Sequence, residues 1–500
     1  MKKAVNLALL ASSFILLANL IFRFWDEAKL LKYFPLDYTN DISSYMAQLH
    51  FLKVCGFHGF CQYWYNGFTA FLHSPPGWYF FAYPFYILAG DVKVATYIVM
   101  ILQFIIAFAV VFYLGKFAGW SKIKRIAFFF FMFANALAIG SFMRLGRLHE
   151  MLAWIFFLII AFAVFWYKDR EIDWKFYLLA IPYALTILTY QSVGVFATFL
   201  FVSIFLAKGL KGKLASILTV GAGLLLSAFW WLPFVGNISQ SASFTQGYEY
   251  FAEGRWIWIF TKENLFTNIA ATAAAVAFFA AFYLYWKSKN KPKELIIFMS
   301  PFLIFNFLFL IRLTPLLPVI KYIFPDPVII FAITMALFCI FNTDFEKLGV
   351  KTAKPIAVLI VLISLSSVFI SITHTPLFAV PGGAEQDIMS LFPDVEGRFM
   401  MLGDFPRTSY AKAYSAYGPI YYGISAAYGW YPQSKEAGYF LLIDETMKAF
   451  DSRQCSAMKE SLDAINTTEV ISYGEGCSFF AGCGFEEKAA KNSACLYSSE

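Results

Sequence analysis

Charge is what this chain has least of. Of its 500 residues only 14 % are Asp, Glu, Lys or Arg, against 60 % that are hydrophobic, whereas a water-soluble domain carries about 25 % charged residues. That deficit excludes a soluble globular protein, because too few polar side chains are available to cover the surface. The net charge of +7 arises from 39 basic against 32 acidic residues, an excess that sorts loops across a bilayer and does not indicate nucleic-acid binding. Sustained apolar/polar alternation is missing, which argues against an outer-membrane barrel. Also absent are a Gly-rich phosphate loop, a nucleophile elbow and any Cys/His zinc spacing. Nucleotide-dependent chemistry therefore finds no support. No small-residue cleavage site follows the first apolar run, which ends in Phe22-Arg23-Phe24-Trp25, so that run reads as a retained anchor.

What the chain does have is long apolar runs. Stretches near the ~20 residues of a membrane span fall at roughly 4–22, 94–114, 126–142, 151–167, 175–189, 191–207, 214–235, 268–286, 294–311, 326–341 and 354–372. The 60 Phe supply lipid-facing bulk. Residues 75–90 are ambiguous, and parity decides them. With an N-terminus in the cytoplasm and 75–90 not spanning, the clusters at Lys116–Arg125, Lys168–Lys175, Lys208–Lys213, Lys287–Lys293 and Lys347–Lys354 all fall inside, as the positive-inside rule requires. If 75–90 spanned, every cluster would fall outside. The expectation is an all-α polytopic membrane protein of about eleven spans, with its C-terminus out. Residues 75–90 then lie along or dip into the outer leaflet.

On this topology Cys55, Cys61, Cys455, Cys477, Cys483 and Cys495 lie outside and Cys339 within a span. An even number in an oxidising compartment fits disulfides, with Cys55–Cys61 as the local pair; the pairing of the other four is not readable. Two glycosylation sequons, at Asn237 and Asn466, also fall outside. From about residue 373 the composition turns to Gly, Ser, Glu and Lys without a further span. The chain thus divides into a transmembrane module, 1–372, with a first outer loop of 23–93, and a small disulfide-stabilised extracytoplasmic domain of mixed structure, 373–500.

Polar chemistry gathers on the outer face. After Asn40 the apolar residues fall at 42, 45, 46, 49 and 52, a helical spacing that places Asp41 in a first turn, where the helix dipole favours a carboxylate. Such a residue can act as general base for an acceptor hydroxyl, hold a divalent cation (Mg or Mn) against a phosphate leaving group, or be a plain helix-start charge. Asp37 is the second candidate. Arg144, Arg147 and His149, at the top of two spans, and Lys93, on the same face, are candidates for a lipid phosphate; snorkelling charges are the alternative. Trp64, Tyr65, His73 and Glu150 are candidates for contact with substrate, although interfacial aromatics are common in any membrane protein.

Taken together these residues resemble the C-type glycosyltransferase (GT-C) superfamily, multispan enzymes that use polyprenyl-phosphate-linked sugars. More narrowly the chain is similar to the prokaryotic, largely archaeal, membrane proteins labelled 6-pyruvoyl-tetrahydropterin synthase-related. Their pattern reads here as Asp41, then Trp64-Tyr65-Asn66-Gly67, then Ser74-Pro75-Pro76-Gly77-Trp78-Tyr79. Gly146 to Glu150, Phe229-Trp230-Trp231-Leu232-Pro233 and Gly397-Arg398 match its later elements. The chain departs from the pattern in three places. Ser44-Tyr45 stands where a His is frequent, Thr189-Tyr190 where Thr-His is expected, and Phe324-Pro325-Asp326-Pro327 where an arginine is expected. The resemblance implies an inverting transferase of the plasma membrane. It would move a sugar from a polyprenyl-phosphate donor to a glycan, lipid or protein acceptor on the extracytoplasmic face, with Asp41 as base or metal ligand. The rivals are a lipid-linked glycan flippase and a catalytically inactive polyprenyl-lipid-binding protein. A flippase predicts charged or broken mid-span positions, and spans 94–114, 151–167 and 354–372 carry none at mid-span.

Overall fold

Apolar helices account for most of the computed structural model, which describes residues 2–34, 40–237, 265–289, 292–317, 320, 323–345, 347, 353–403, 405, 408–430 and 435–499. The first helix, α1 (Lys2–Glu27), is followed by two shorter ones, α2 (Asn40–Val54) and α3 (Gly77–Ala89). Between these two, a two-stranded antiparallel ribbon, β1 (Phe60–Cys61) and β2 (Phe68–Thr69), is closed by the Cys55–Cys61 disulfide. With 13 residues, α3 is about 20 Å long, too short to cross a hydrocarbon core of about 30 Å. That agrees with the parity argument.

The chain continues through α4 (Val92–Leu114), α5 (Lys122–Phe133), α6 (Ala136–Ala138), α7 (Leu148–Tyr167), α8 (Ala180–Thr189), α9 (Gln191–Ala207) and α10 (Leu210–Asn237). Then come α11 (Leu265–Lys287), α12 (Pro292–Leu310), α13 (Pro325–Phe341) and α14 (Ala353–His374). Among the described residues seven helices are long and apolar enough to span a membrane, namely α1, α4, α7, α10, α11, α12 and α14. One bent pair, α5 with α6, and three shorter apolar segments, ending in α8, α9 and α13, occupy the remaining stretches expected from hydropathy.

Local chemistry explains the breaks. Asp91 caps α4 by accepting from the backbone N–H of Lys93 (2.7 Å). The bend of 47° between α5 and α6 sits at Asn135. Its side chain accepts from the N–H of Leu137 (2.9 Å) and Ala138 (3.0 Å) and donates to Phe131 O (2.9 Å), so one residue ends one helix and starts the next. A π-helical turn, Ile139–Arg144, follows, and Gly146 at φ +72° reverses the chain into α7. A Cβ on Gly146 would stand 2.1 Å from Ile42 Cγ1 and 3.1 Å from its backbone N, so the first turn of α2 approaches as closely as it does only because Gly146 is glycine. Gly146→Ala should lower the thermal unfolding midpoint of the purified protein, since left-handed strain alone costs about 1–3 kcal/mol before the clash with α2 is counted.

The anchor helix runs further than its apolar core suggests. At the α2 end of α1, Arg23, Asp26 and Glu27 are all buried. Arg23 donates to Ser371 O and, at 2.7 Å, to Thr375 O; Asp26 accepts from Lys29 Nζ (2.6 Å) and from Phe378 N–H (3.1 Å). These polar ties hold α1 to the end of α14, where the chain leaves the helical bundle.

The distal part carries a four-stranded sheet of β3 (Phe399–Met401), β4 (Glu469–Tyr473), β5 (Glu486–Lys491) and β6 (Ala494–Ser498), in the order β3-β4-β6-β5. Strand β3 runs parallel to β4, and the other pairs are antiparallel. Disulfides Cys455–Cys483 and Cys477–Cys495 brace it, which supplies the pairing the sequence left open. Cys339 is free and buried, as its place in a span implied.

Candidate functional site

The turn that ends at Gly146 presents Arg147 at the α2 end of the bundle, where three carboxylates from three helices meet it. Arg147 Nη1 donates to Asp326 Oδ2 at 3.0 Å and lies 3.8 Å from Glu150 Oε2, while its Nε is 3.7 Å from Asp41 Oδ2. Each carboxylate belongs to a first turn, Asp41 to that of α2, Glu150 to that of α7 and Asp326 to that of α13, where the helix dipole favours negative charge. Exposure grades inward: the side chains of Asp41 and Asp326 are 39 % and 31 % accessible, Arg147 16 % and Glu150 0 %. Two carboxylates therefore stand at a mouth, the guanidinium lies beneath them, and Glu150 forms a sealed floor. Trp154 Nε1 donates to Glu150 Oε1 there (3.2 Å).

An aromatic wall adjoins the cluster. The His149 ring lies between Tyr45 (4.6 Å between centroids) and Tyr190 (4.9 Å), and Tyr45 packs on Trp78 (5.7 Å) and Tyr79 (6.3 Å). The Pro75-Pro76-Gly77 entry brings this wall close to α8, for a Cβ on Gly77 would sit 2.6 Å from Thr189 Oγ1 and 2.8 Å from Leu188 O.

Electrostatics follow from this packing. Burial raises the Asp41 pKa above the usual carboxylate value, and Arg147 holds that rise in check. For Arg147 itself burial disfavours the charge, yet Tyr190, Glu150, Asp326 and Asp41 outweigh it and raise its pKa. Burial also raises the Tyr190 pKa, with Glu150 adding to the effect. The site thus joins a weakened carboxylic acid at its mouth to a permanent cation and a protonated phenol.

Of the described residues anticipated from sequence, Asp41, Arg147, His149 and Glu150 are brought together, and Arg144, Lys93, His73, Trp64 and Tyr65 are not. Asp37 lies outside the described residues. Arg144, three residues before Arg147 but on the far side of the turn, stacks over Phe378 at 4.3 Å and faces Glu27 on α1. Lys93 reaches toward the Tyr421 ring (5.8 Å). His73 is 8 % exposed against Phe234, and burial lowers its pKa.

Trp64 and Tyr65 are both 0 % exposed, so neither offers a face for a sugar. Trp64 Nε1 donates to Ser415 O (2.7 Å), Tyr65 Oη donates to Trp430 O (2.7 Å), and Ala426 N–H donates to Tyr63 O (2.9 Å). This aromatic segment seats the loop on the distal sheet domain. Trp64→Ala should cost about 3–5 kcal/mol as a large buried aromatic, read as a lower unfolding midpoint and faster proteolysis of the distal domain.

Asp326, Tyr190 and Tyr45 belong to the site and were not singled out as site residues from sequence. Yet all three sit at the three departures from the family pattern, which was the available signal.

A divalent cation at Asp41 needs several further oxygen donors. Among the described residues no three His, Cys, Asp or Glu side chains form a metal-holding group, and the carboxylates that do converge are turned onto Arg147. The described donor set does not fit a cation.

No protein-family model matches the chain, and no curated protein does. Solved structures do. The oligosaccharyltransferase AglB from Archaeoglobus fulgidus, in complex with an inhibitory peptide and a dolichol-phosphate, aligns over 93 % of this chain and 70 % of its own with a TM-score of 0.53 at 12 % identity. Its apo form aligns with a TM-score of 0.53 at 11 % identity, over 92 % and 69 % of the two chains. The arabinofuranosyltransferase AftD from Mycobacteria aligns over the whole of this chain and 40 % of its own with a TM-score of 0.54 at 13 % identity. On this likeness the chain has the fold of these transferases, and among its described residues seven helices are long and apolar enough to cross a membrane.

Proposed function

We propose that the protein is a membrane glycosyltransferase that uses a polyprenyl-phosphate-linked sugar and inverts the configuration of the transferred residue. The observation that carries this reading is the pairing of a half-exposed, pKa-raised Asp41 with Arg147 at one end of a GT-C bundle. Asp41 takes the proton of the acceptor hydroxyl. The acceptor oxygen then attacks the anomeric carbon from the face opposite the phosphate, and the bond from that carbon to the phosphate oxygen breaks, releasing polyprenyl phosphate.

In this reading Arg147 is anchored by its 3.0 Å bond to Asp326. Its Nε side, 3.7 Å from Asp41 and so beyond hydrogen-bond length, receives a phosphate oxygen. His149 and Tyr190 line that side, with Arg144 and Lys93 as more distant cations. The α2 end faces out of the cell, the N-terminus is cytoplasmic, and the distal domain shapes the acceptor site. Support for the donor class comes from the fold it shares with AglB, whose structure holds a dolichol-phosphate.

The test is direct. Purified full-length protein in lipid nanodiscs is incubated with radiolabelled polyprenyl-phosphate monosaccharides together with glycan, lipid and peptide acceptors, and free polyprenyl phosphate is measured. Turnover of at least one donor is expected. Complete recovery of every donor would sink the proposal.

A further inference from the structure

The opposite end of the bundle holds a second polar site, which sugar transfer does not use. Helix α7, Leu148–Tyr167, runs for 20 residues between Arg147 and Lys168, about 30 Å, and ends beside a cavity of about 430 Å³. Four lysines from four segments line it: Lys168 after α7, Lys208 after α9, Lys289 after α11 and Lys347 beyond α13.

Two of these ammonium groups converge on one buried ring. Lys289 Nζ is 4.8 Å and Lys168 Nζ 5.8 Å from the centroid of Tyr285, which is 2 % exposed. The attraction of a cation to a tyrosine face is modest and does not offset crowding of like charge. Burial lowers the Lys289 pKa, and the charges of Lys168 and Lys347 lower it further, against the opposing pull of Asp169 and Asp344. Of the acidic residues at the rim, Asp169 is paired with Lys168 at 3.1 Å but is itself 76 % exposed and turned to solvent; Glu294 and Asp344 leave the lining with one more cation than anion. Leu295 and Ile297 on α12 complete the wall, and Ile297 is 48 % exposed. The cavity therefore pairs a cationic head with an apolar flank, the arrangement in which basic pockets between membrane helices hold lipid headgroups.

We propose that this cavity binds a phosphate-bearing anion, supplied as the headgroup of an acidic phospholipid or as free phosphate, through Lys168 and Lys289. The site is independent of the sugar-transfer reading, because it lies a full helix away and shares no residue with the Arg147 cluster.

The experiment is native mass spectrometry of the full-length protein released from micelles containing equal phosphatidylglycerol and phosphatidylcholine, with and without inorganic pyrophosphate. Wild type should retain phosphatidylglycerol preferentially. The K168Q/K289Q variant should lose that preference by about 30-fold, given about 1 kcal/mol for each of the two lysines near an anionic headgroup, and K168R/K289R should keep it. If pyrophosphate binds and displaces the lipid, the phosphate group itself is recognised; if it does not, the lipid headgroup with its chains is the ligand. Equal lipid retention by wild type and the glutamine variant, with no pyrophosphate bound, overturns the proposal. Should the double variant fail to fold, single Lys289→Gln is read in the same way.

Discussion

Arg147→Met should lower the stability of this protein by about 3–5 kcal/mol, the cost of removing one partner from a buried ion pair. The size follows from what stays behind. Glu150 is 0 % exposed, and without the guanidinium its Oε1 keeps only the Trp154 indole N–H, while Oε2 keeps no hydrogen-bond partner. Asp326 loses its 3.0 Å bond at the same time. Because the cost is that of a stranded carboxylate, a second substitution that removes the charge should recover part of it. Arg147→Met with Glu150→Gln should therefore be more stable than Arg147→Met alone, and the double-mutant cycle, read by thermal unfolding in nanodiscs, should show coupling. Strict additivity would mean that the cluster is not a coupled network.

The second large effect is on catalysis. Asp41→Asn should reduce sugar transfer by about 10²–10⁴-fold, the usual contribution of a positioned general base, without loss of stability. The sign follows from the pKa. The folded-state pKa of Asp41 is raised, chiefly by burial, against the opposing pull of Arg147. The fold thus disfavours the ionised form, and the stability that Asp41 contributes is fully present below its unfolded pKa and is lost as pH rises through its folded pKa. A neutral, similarly shaped amide removes that cost, so the unfolding midpoint of Asp41→Asn at neutral pH should equal or exceed that of wild type. The raised pKa also places the acid limb of the wild-type rate–pH profile above the range of an ordinary carboxylate. Arg147→Lys, in which the fork geometry is lost and Arg147's restraint on Asp41 weakens, should move that limb to still higher pH.

Much of the scaffold is legible in the chain because lipid imposes a one-dimensional rule. An apolar run of about 20 residues is long enough to span, and seven helices among the described residues meet that length. The same logic reduced 75–90 to a non-spanning helix, and Asp41 was placed in a first turn by spacing alone. The site is less legible because its partners are remote in sequence. Asp326 is 179 residues from Arg147, and no local pattern announces that contact. Arg144 and Arg147 look alike in sequence, yet the π turn and the left-handed Gly146 send them to different neighbours.

Aromatic residues mislead for a different reason. Sugar, lipid and a protein interior all favour the same flat, amphipathic rings, so Trp64 and Tyr65 read as substrate contacts when they are buried at the junction with the distal domain. Pairing among the four distal cysteines was open because four cysteines allow three connectivities, and only the approach of Cys455 to Cys483 and of Cys477 to Cys495 selects one.

The departures from the family pattern are the more useful signal. Tyr45 and Tyr190 enclose His149, and Asp326 fixes Arg147. The positions at which this chain differs are thus the positions that line the candidate site.

One measurement bears most directly on the central claim that Asp41, held against Arg147, is the base of a sugar transfer. Single-turnover release of polyprenyl phosphate from a radiolabelled polyprenyl-phosphate sugar is compared for wild type and Asp41→Asn at equal folded concentration. Release by wild type and its fall by about 10²-fold or more in the variant is the predicted result; release at the wild-type rate by Asp41→Asn would contradict it.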